Sequence, residues 1–250
     1  MSYVVRFFFL IGLALLAGIS AAAAQSINLD LGESGPLTGR IVQLIALVTV
    51  LTLAPSILIV LTSFTRIVVV LSLLRSALGV QQTPPNVVII SLALFLTAYV
   101  MTPTFQKVYD DGVLPLINEE IEEREAFDRS IKPLHEFMRT QVRPEDLAAF
   151  IDMAKLETPA TAEDTPLRAL IPAFMVSELR RSFEIGFLIF IPFLIIDMVV
   201  ASVLMSMGMM MLPPIIISLP FKLIFFVLVD GWQLISSSLV QSFATSPAAG

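Results

Sequence analysis

The chain contains no cysteine in its 250 residues, which excludes disulfide bonds and thiol catalysis. Histidine occurs once, as His135, and one histidine without a second nearby ligand does not indicate a metal site. The HExxH, GxSxG and Walker lysine motifs are also absent, so no catalytic residue and no cofactor are expected. Charged residues make up only 14% of the chain, far fewer than in an ordinary soluble protein. These absences together indicate a protein that is not an enzyme.

Apolar residues fill most of the sequence. Hydrophobic residues are 56% of the chain and the mean hydropathy is +0.89, a balance typical of an integral membrane protein. The N-terminus combines Arg6, the apolar stretch Phe7 to Ala17 and small residues ending at Ala24, the arrangement of a cleavable secretory signal. We predict a signal peptide over 1–24 and a lead-in over 25–40. The alternative is an uncleaved first span, for which the apolar stretch is short, since a span needs roughly 20 residues.

Four further apolar segments fall into two pairs, which predict two helical hairpins over 41–103 and 183–235, with a tail over 236–250. In each hairpin a glycine, Gly79 or Gly208, precedes a Pro-Pro pair by five residues, which indicates one helical unit used twice. Further prolines inside the segments predict kinked helices. The segments are Ile41 to Phe64, Val87 to Met101, Ile185 to Val203 and Ile215 to Val229.

The insert between the hairpins, residues 104–182, carries 16 acidic against 10 basic residues and so accounts for the net charge of −6. It reads as a small helical domain, with a Glu-rich helix over Ile117 to Phe127 and helix starts at Pro144 and at Thr165-Pro166. Its acidic face is a solvated surface. Apolar residues also recur in it at helical spacing, and in so small a segment we expect them to contact other subunits: Leu134, Phe137, Met138, Leu147, Phe150 and Ile151.

The orientation of the hairpins follows from the signal peptide and from charge. A cleaved signal leaves Gln25 outside, so the first segment runs inward. The turn expected after it carries Arg66 and Arg75, as the positive-inside rule prefers. The acidic insert is then outside, and the second hairpin places its turn on the cytoplasmic side.

Charged residues inside apolar segments need partners, because an isolated charge at the bilayer centre costs about 2.5–3.5 kcal/mol or more. Asp197 lies 13 residues before Met210 and Lys222 lies 12 residues after it. In a hairpin that turns near Met210 the two are at the same depth, so we predict that they pair within one hairpin or across subunits. Alternatively Lys222 extends to an interface, and the next candidate partners are Arg66 and Glu178.

The turn of the second hairpin is unusual in its methionines. The sequence MSMGMMMLPP, Met205 to Pro214, places five methionines within seven residues and ends in Pro-Pro. Methionine side chains are flexible and can repack around objects of varying shape, so this cluster predicts a soft seal. The alternative is that these residues only face lipid or fill a core.

Three stretches together resemble one known family: SFTRIVVVLSLLRSALGVQQTPPN from Ser63, IPAFMVSELRRSFEIGFLIFIPFLIIDMVVASVLMSMGMMMLPP from Ile171, and IIISLPFKLIFFVLVDGW from Ile215. They are similar to the FliP family, export-gate subunits of the bacterial flagellar type III secretion system, with virulence-type homologues. The resemblance covers most of the mature chain, and the sequences MSMGMMMLPP and VLVDGW favour the flagellar branch.

The resemblance implies an all-α membrane protein that assembles into a ring, a pentamer in this family, with FliQ-like and FliR-like subunits and other export-apparatus membrane proteins. The ring passes unfolded export substrates, and no nucleic acid is implied. The family's methionine loop closes the resting channel; here that role falls on Met209, Met210 and Met211, supported by Met205, Met207 and Gly208.

The expected location is the bacterial inner membrane at the flagellar basal body, with residues 104–182 periplasmic. The family also implies that the apolar hairpins can be raised out of the bilayer plane. Three alternatives remain at this point. The first is a virulence-type export-gate subunit. The second is a small-solute or ion transporter, since broken helices, repeats and midplane charges are also typical of secondary transporters. The third is a passive membrane anchor for the acidic insert, for which the methionine-rich turn would have no role.

Overall fold

The structure, a computed structural model, describes most of the chain: residues 37–80, 82–157, 159, 161, 164–209 and 212–244. The predicted signal peptide lies outside these residues, as do most of the lead-in and the last residues of the tail. Two compact units divide the chain, and the larger one comprises residues 53–250. All regular structure in the described ranges is helical, as expected from the sequence.

Nine α-helices follow one another along the described residues, with a π-helical turn at Tyr109–Val113 between the third and the fourth. The helices are α1 Leu37–Leu61, α2 Phe64–Ala77, α3 Asn86–Val108, α4 Leu114–Ile117, α5 Glu123–Gln141, α6 Pro144–Met153, α7 Leu167–Ser206, α8 Pro214–Leu228 and α9 Gly231–Ala244.

Helix α2 replaces the turn that was expected after the first apolar segment. The sequence places Arg66 and Arg75 there, but Arg66 is buried within α2 and Arg75 lies in its last turn. Ile67, Val70 and Leu74 recur at helical spacing and are fully buried, so α2 has a strong apolar face. The expectation of a turn was wrong because a buried partner, described below, allows the charge of Arg66 to enter the core.

The core is shared among helices that are distant in sequence. One cluster joins α2 to α3 and α9, a second joins α5 and α6 to α7, and a third joins the end of α2 to α7 and α8. Met138 and Phe174 are fully buried in the second cluster. The insert positions Phe137, Leu147 and Phe150 pack against this cluster, so apolar residues that we expected to contact other subunits are used inside the chain.

The two helices around the insert run through its predicted boundaries. Helix α3 passes 103/104, and α7 is a single helix of 40 residues that passes 182/183. Two helical stretches in the described part of the chain are long and apolar enough to cross a membrane, Asn86–Ile117 and Leu167–Ser206. The pair α8 and α9, which bends by 63°, provides a third if it is counted as one span.

Local signals in the insert gave mixed results. The predicted helix starts are confirmed, since α6 begins at Pro144 and α7 begins at Leu167 directly after Pro166. The Ser177 hydroxyl donates to Asp146 at 2.7 Å and ties the start of α6 to α7. The helix predicted over Ile117 to Phe127 is wrong in its first half, because the chain leaves α4 after Ile117 and turns through Glu119 at a φ of 58°, whereas the residues from Glu123 onward are helical as the start of α5.

Helix α9 occupies much of the segment that the sequence suggested as the end of the second hairpin and the tail. It begins at Gly231 and passes the predicted division at 235/236. Leu239 and Phe243 are buried on its inner face, against α2 and α3. Helix α9 is therefore part of the core.

Candidate functional site

An ion pair joins the two helices that flank the methionine-rich turn. The Lys222 ammonium on α8 lies 2.7 Å from Asp197 Oδ2 on α7, so the pairing predicted from equal depth is confirmed within one chain. The Ser218 hydroxyl donates to Asp197 Oδ1 at 2.5 Å. Lys222 is 4% exposed, whereas 28% of the Asp197 side chain remains accessible. The Lys222 side chain is therefore buried inside this chain and does not extend outward, as the alternative expected.

Helical spacing explains this arrangement. On α8, Ser218, Lys222 and Phe226 recur every four residues and are all buried, so they share one face. On α7, Phe193 lies four residues before Asp197 and contacts the Phe226 ring, with centroids 6.4 Å apart. The two helices are thus antiparallel neighbours, with an aromatic contact next to the ion pair.

A second ion pair is buried more deeply. The Arg66 guanidinium on α2 donates through Nε to Glu178 Oε2 at 2.9 Å and through a second nitrogen to Glu178 Oε1. Both side chains are almost completely inaccessible. The two residues that the sequence offered as alternative partners for Asp197 and Lys222 therefore pair with each other. A bidentate contact of this kind is among the stronger hydrogen-bonded arrangements.

Residues of two further helices complete the surroundings of Arg66. Its guanidinium donates to Gln141 Oε1 at 3.1 Å and to the Ser242 hydroxyl at 3.1 Å, and it stacks 3.7 Å from the ring centroid of Phe243. The Gln141 side-chain amide donates in turn to the Phe243 carbonyl at 3.2 Å. Arg66 thus connects α2, α5, α7 and α9. No sequence signal identified these partners, because they lie 75 to 176 residues away along the chain.

The methionine-rich turn begins where α7 ends. The Met209 amide donates to the Leu204 carbonyl at 3.0 Å and the Gly208 amide to Met205 at 3.1 Å, the hydrogen-bond pattern of a Schellman helix end. Gly208 has a φ of +73°, which glycine adopts without strain. Met205, Met207 and Met209 are all exposed, whereas Met210 and Met211 lie outside the described residues. The three described methionines of the turn therefore do not pack in the core of this chain.

Exposed apolar side chains surround both helices of this hairpin. Exposed apolar side chains in this number indicate contact with lipid or with another protein. On α7 and α8 it includes Phe187, Leu188, Ile195, Met198, Val203, Ile216, Phe221, Ile224, Val227 and Leu228.

His135 has a structural contact. Its Nε2 lies 2.8 Å from the Thr165 carbonyl oxygen, which links α5 to the approach to α7. No group of three or more His, Cys, Asp or Glu residues in the described ranges is placed to hold a metal ion.

Comparison with known proteins gives one consistent family. A model of the FliP family matches residues 47–239. A curated relative from Caulobacter vibrioides, described as flagellar biosynthetic protein FliP, is 64% identical over 225 residues, covering 90% of this chain and 85% of the relative. A protein of the same description from Bacillus subtilis is 56% identical, and the match covers 81% of this chain and 91% of the relative. Another from Rhizobium meliloti is 50% identical, and the match covers 94% of this chain and 97% of the relative.

Proposed function

Because this chain belongs to the FliP family, we propose that it is a structural channel subunit of the flagellar type III protein export gate. The curated relatives are flagellar biosynthetic proteins by description, which favours the flagellar over the virulence-type system. The chain acts as a component of the export apparatus, located in the membrane through its apolar helices, rather than as an enzyme.

One observation carries the assembly part of this proposal. The helices α7 and α8 expose many large apolar side chains, although the charges of Asp197 and Lys222 on these helices are paired with each other. Apolar helix faces without intrachain partners favour packing against other subunits and lipid. We place copies of this chain, with FliQ-like and FliR-like subunits, on these faces in a ring of the bacterial inner membrane, with residues 104–182 on the periplasmic side. A pentamer is the proposed oligomer.

The methionine-rich turn is the proposed constriction. Its described methionines are exposed, and Gly208 has open space around it, so the turn is available for contact with the same turn of neighbouring subunits. Methionine excludes water when packed and changes rotamer readily when a chain arrives. We assign the closure of the resting channel to Met209, Met210 and Met211, with Met205, Met207 and Gly208 shaping the turn.

A deletion strain tests the class of function. Cells that lack the chain should secrete no flagellar proteins and should regain secretion when the chain is supplied, while their uptake of ions and small solutes stays unchanged. A transporter makes the opposite prediction, with altered solute uptake and intact secretion. Purification in mild detergent, followed by native mass determination, adds the composition of the complex. A monomer under conditions that preserve partner subunits would contradict the ring.

A further inference from the structure

Lys222 has a second polar contact that the pairing with Asp197 does not require. Its ammonium lies 3.3 Å from the carbonyl oxygen of Ala77, the last residue of α2. The final carbonyl groups of a helix have no intrahelical partners, and the negative end of the helix dipole favours a cation there. Lys222 therefore caps α2 with its side chain, in addition to balancing Asp197.

The backbone beyond α2 fits this contact closely. Gly79 has a φ of +78°, and a Cβ atom placed on it would lie 3.9 Å from the Lys222 Nζ atom. Ala77 and Leu78 are buried among Leu74, Phe193 and Phe226. In surroundings this apolar a hydrogen bond to a charged group is stronger than in water. Asp197, Lys222 and the Ala77 carbonyl thus form a three-helix contact, here called the α2 clasp.

The α2 clasp lies on the two helices that support the methionine-rich turn. Asp197 precedes Met205 by eight residues, and Lys222 follows Pro214 by eight residues, which places the clasp about 12 Å from both ends of the turn. Between the clasp and the turn, Leu204 is the one residue of α7 that is buried. Among the residues that the structure describes, the bond from Lys222 to Ala77 is the polar contact between the hairpin and α2 that lies nearest to the turn.

We propose that Lys222 is a positioning residue of the methionine-rich turn: by capping α2 it fixes the α7–α8 hairpin so that the turn sits at the height where the channel closes. This inference rests on the proposed function, because it takes the turn to be the constriction. Neutralising Asp197 and Lys222 together removes the charges without leaving one unpaired. Any remaining effect then comes from lost contacts of the clasp and not from an unpaired buried charge, which is the reason that a buried ion pair is costly to break.

Two matched double variants test the proposal in the full complex. D197N/K222Q and D197N/K222M have the same charge and similar size, but only glutamine retains a donor for the Ala77 carbonyl. The conductance of single complexes is measured, and the amount of assembled complex in mild detergent is measured for the same variants. We expect a closed channel for D197N/K222Q. For D197N/K222M we expect normal assembly and an open fraction raised about tenfold, which is the effect of losing a hydrogen bond of this kind on a two-state equilibrium.

Equal conductance of the two double variants, with both assembled, would overturn the proposal. Loss of assembly in both would overturn it as well, because the clasp would then serve folding rather than positioning. The triple variant M209A/M210A/M211A separates these results from failure of the proposed function. If the triple variant leaks while both double variants stay closed, only the positioning role fails. If the triple variant also stays closed, the turn is not the constriction.

Discussion

Removing Glu178 should disrupt the chain far more than removing an exposed glutamate from the same helix. In Glu178→Ala the Arg66 guanidinium stays buried with its charge unbalanced, and only the neutral acceptors Gln141 and Ser242 remain. Breaking a buried ion pair costs about 3–5 kcal/mol, a large part of the 5–15 kcal/mol, roughly, that stabilises a typical domain. The cost falls on four helices at once, because Arg66 connects them.

Helix α7 also offers a matched control. Glu184 pairs with Arg180 at 3.2 Å, with more than half of each side chain exposed, and exposed pairs contribute about 0–1 kcal/mol. The assay is the amount of assembled complex recovered from membranes in mild detergent, together with the temperature at which the complex is lost. Glu178→Ala should yield little or no complex, whereas Glu184→Ala should match the unmodified chain.

A double variant shows whether the charge itself causes the loss. R66M/E178M removes both charges and fills the site with apolar side chains, a change that is often neutral for buried pairs. We expect partial recovery of the complex, since Gln141 and Ser242 lose a hydrogen-bond donor. If Glu178→Ala yields as much stable complex as Glu184→Ala, the reasoning about the buried pair is refuted.

Two glycines give further predictions through close packing, each checked by the thermal stability of the complex. A Cβ at Gly112 would lie 2.0 Å from Ser130 Oγ and 3.0 Å from the Ala126 carbonyl oxygen, so Gly112→Ala should destabilise the contact of the π-helical turn with α5 by about 1–3 kcal/mol. G112A/S130G should restore part of the loss, and no recovery would point to the backbone. A Cβ at Gly231 would lie 2.2 Å from the Phe226 ring, so Gly231→Ala should have a similar cost, and an unchanged stability would contradict the packed bend between α8 and α9.

Features that depend on neighbouring residues were predictable from the sequence. Pro144 followed by two acidic residues predicted the start of α6, and counting residues from the turn predicted that Asp197 and Lys222 meet. Both inferences use geometry inside one helix or one hairpin, where the rise per residue fixes the distances. The all-helical class followed from the apolar segments in the same way.

Features that depend on the tertiary core were not predictable. Arg66 looked like a turn residue because the positive-inside rule favours arginines in a cytoplasmic turn, and its partner Glu178 lies 112 residues further along the chain. The same holds for α9, whose Leu239 is buried only because α2 and α3 present a matching surface. The cap that Lys222 places on Ala77 joins residues 145 positions apart, a separation at which the sequence gives no signal.

Single-complex conductance tests the central claim most directly. Complexes that contain the native turn should be closed to ions at rest, whereas complexes with M209A/M210A/M211A should assemble normally and conduct, because alanine side chains are too short to fill the constriction. Large aromatic residues at the same positions should keep the channel closed and slow secretion. Equal conductance of the native and triple-alanine complexes, with unaltered assembly, would contradict the account and leave the methionines as residues that only face lipid or neighbouring subunits.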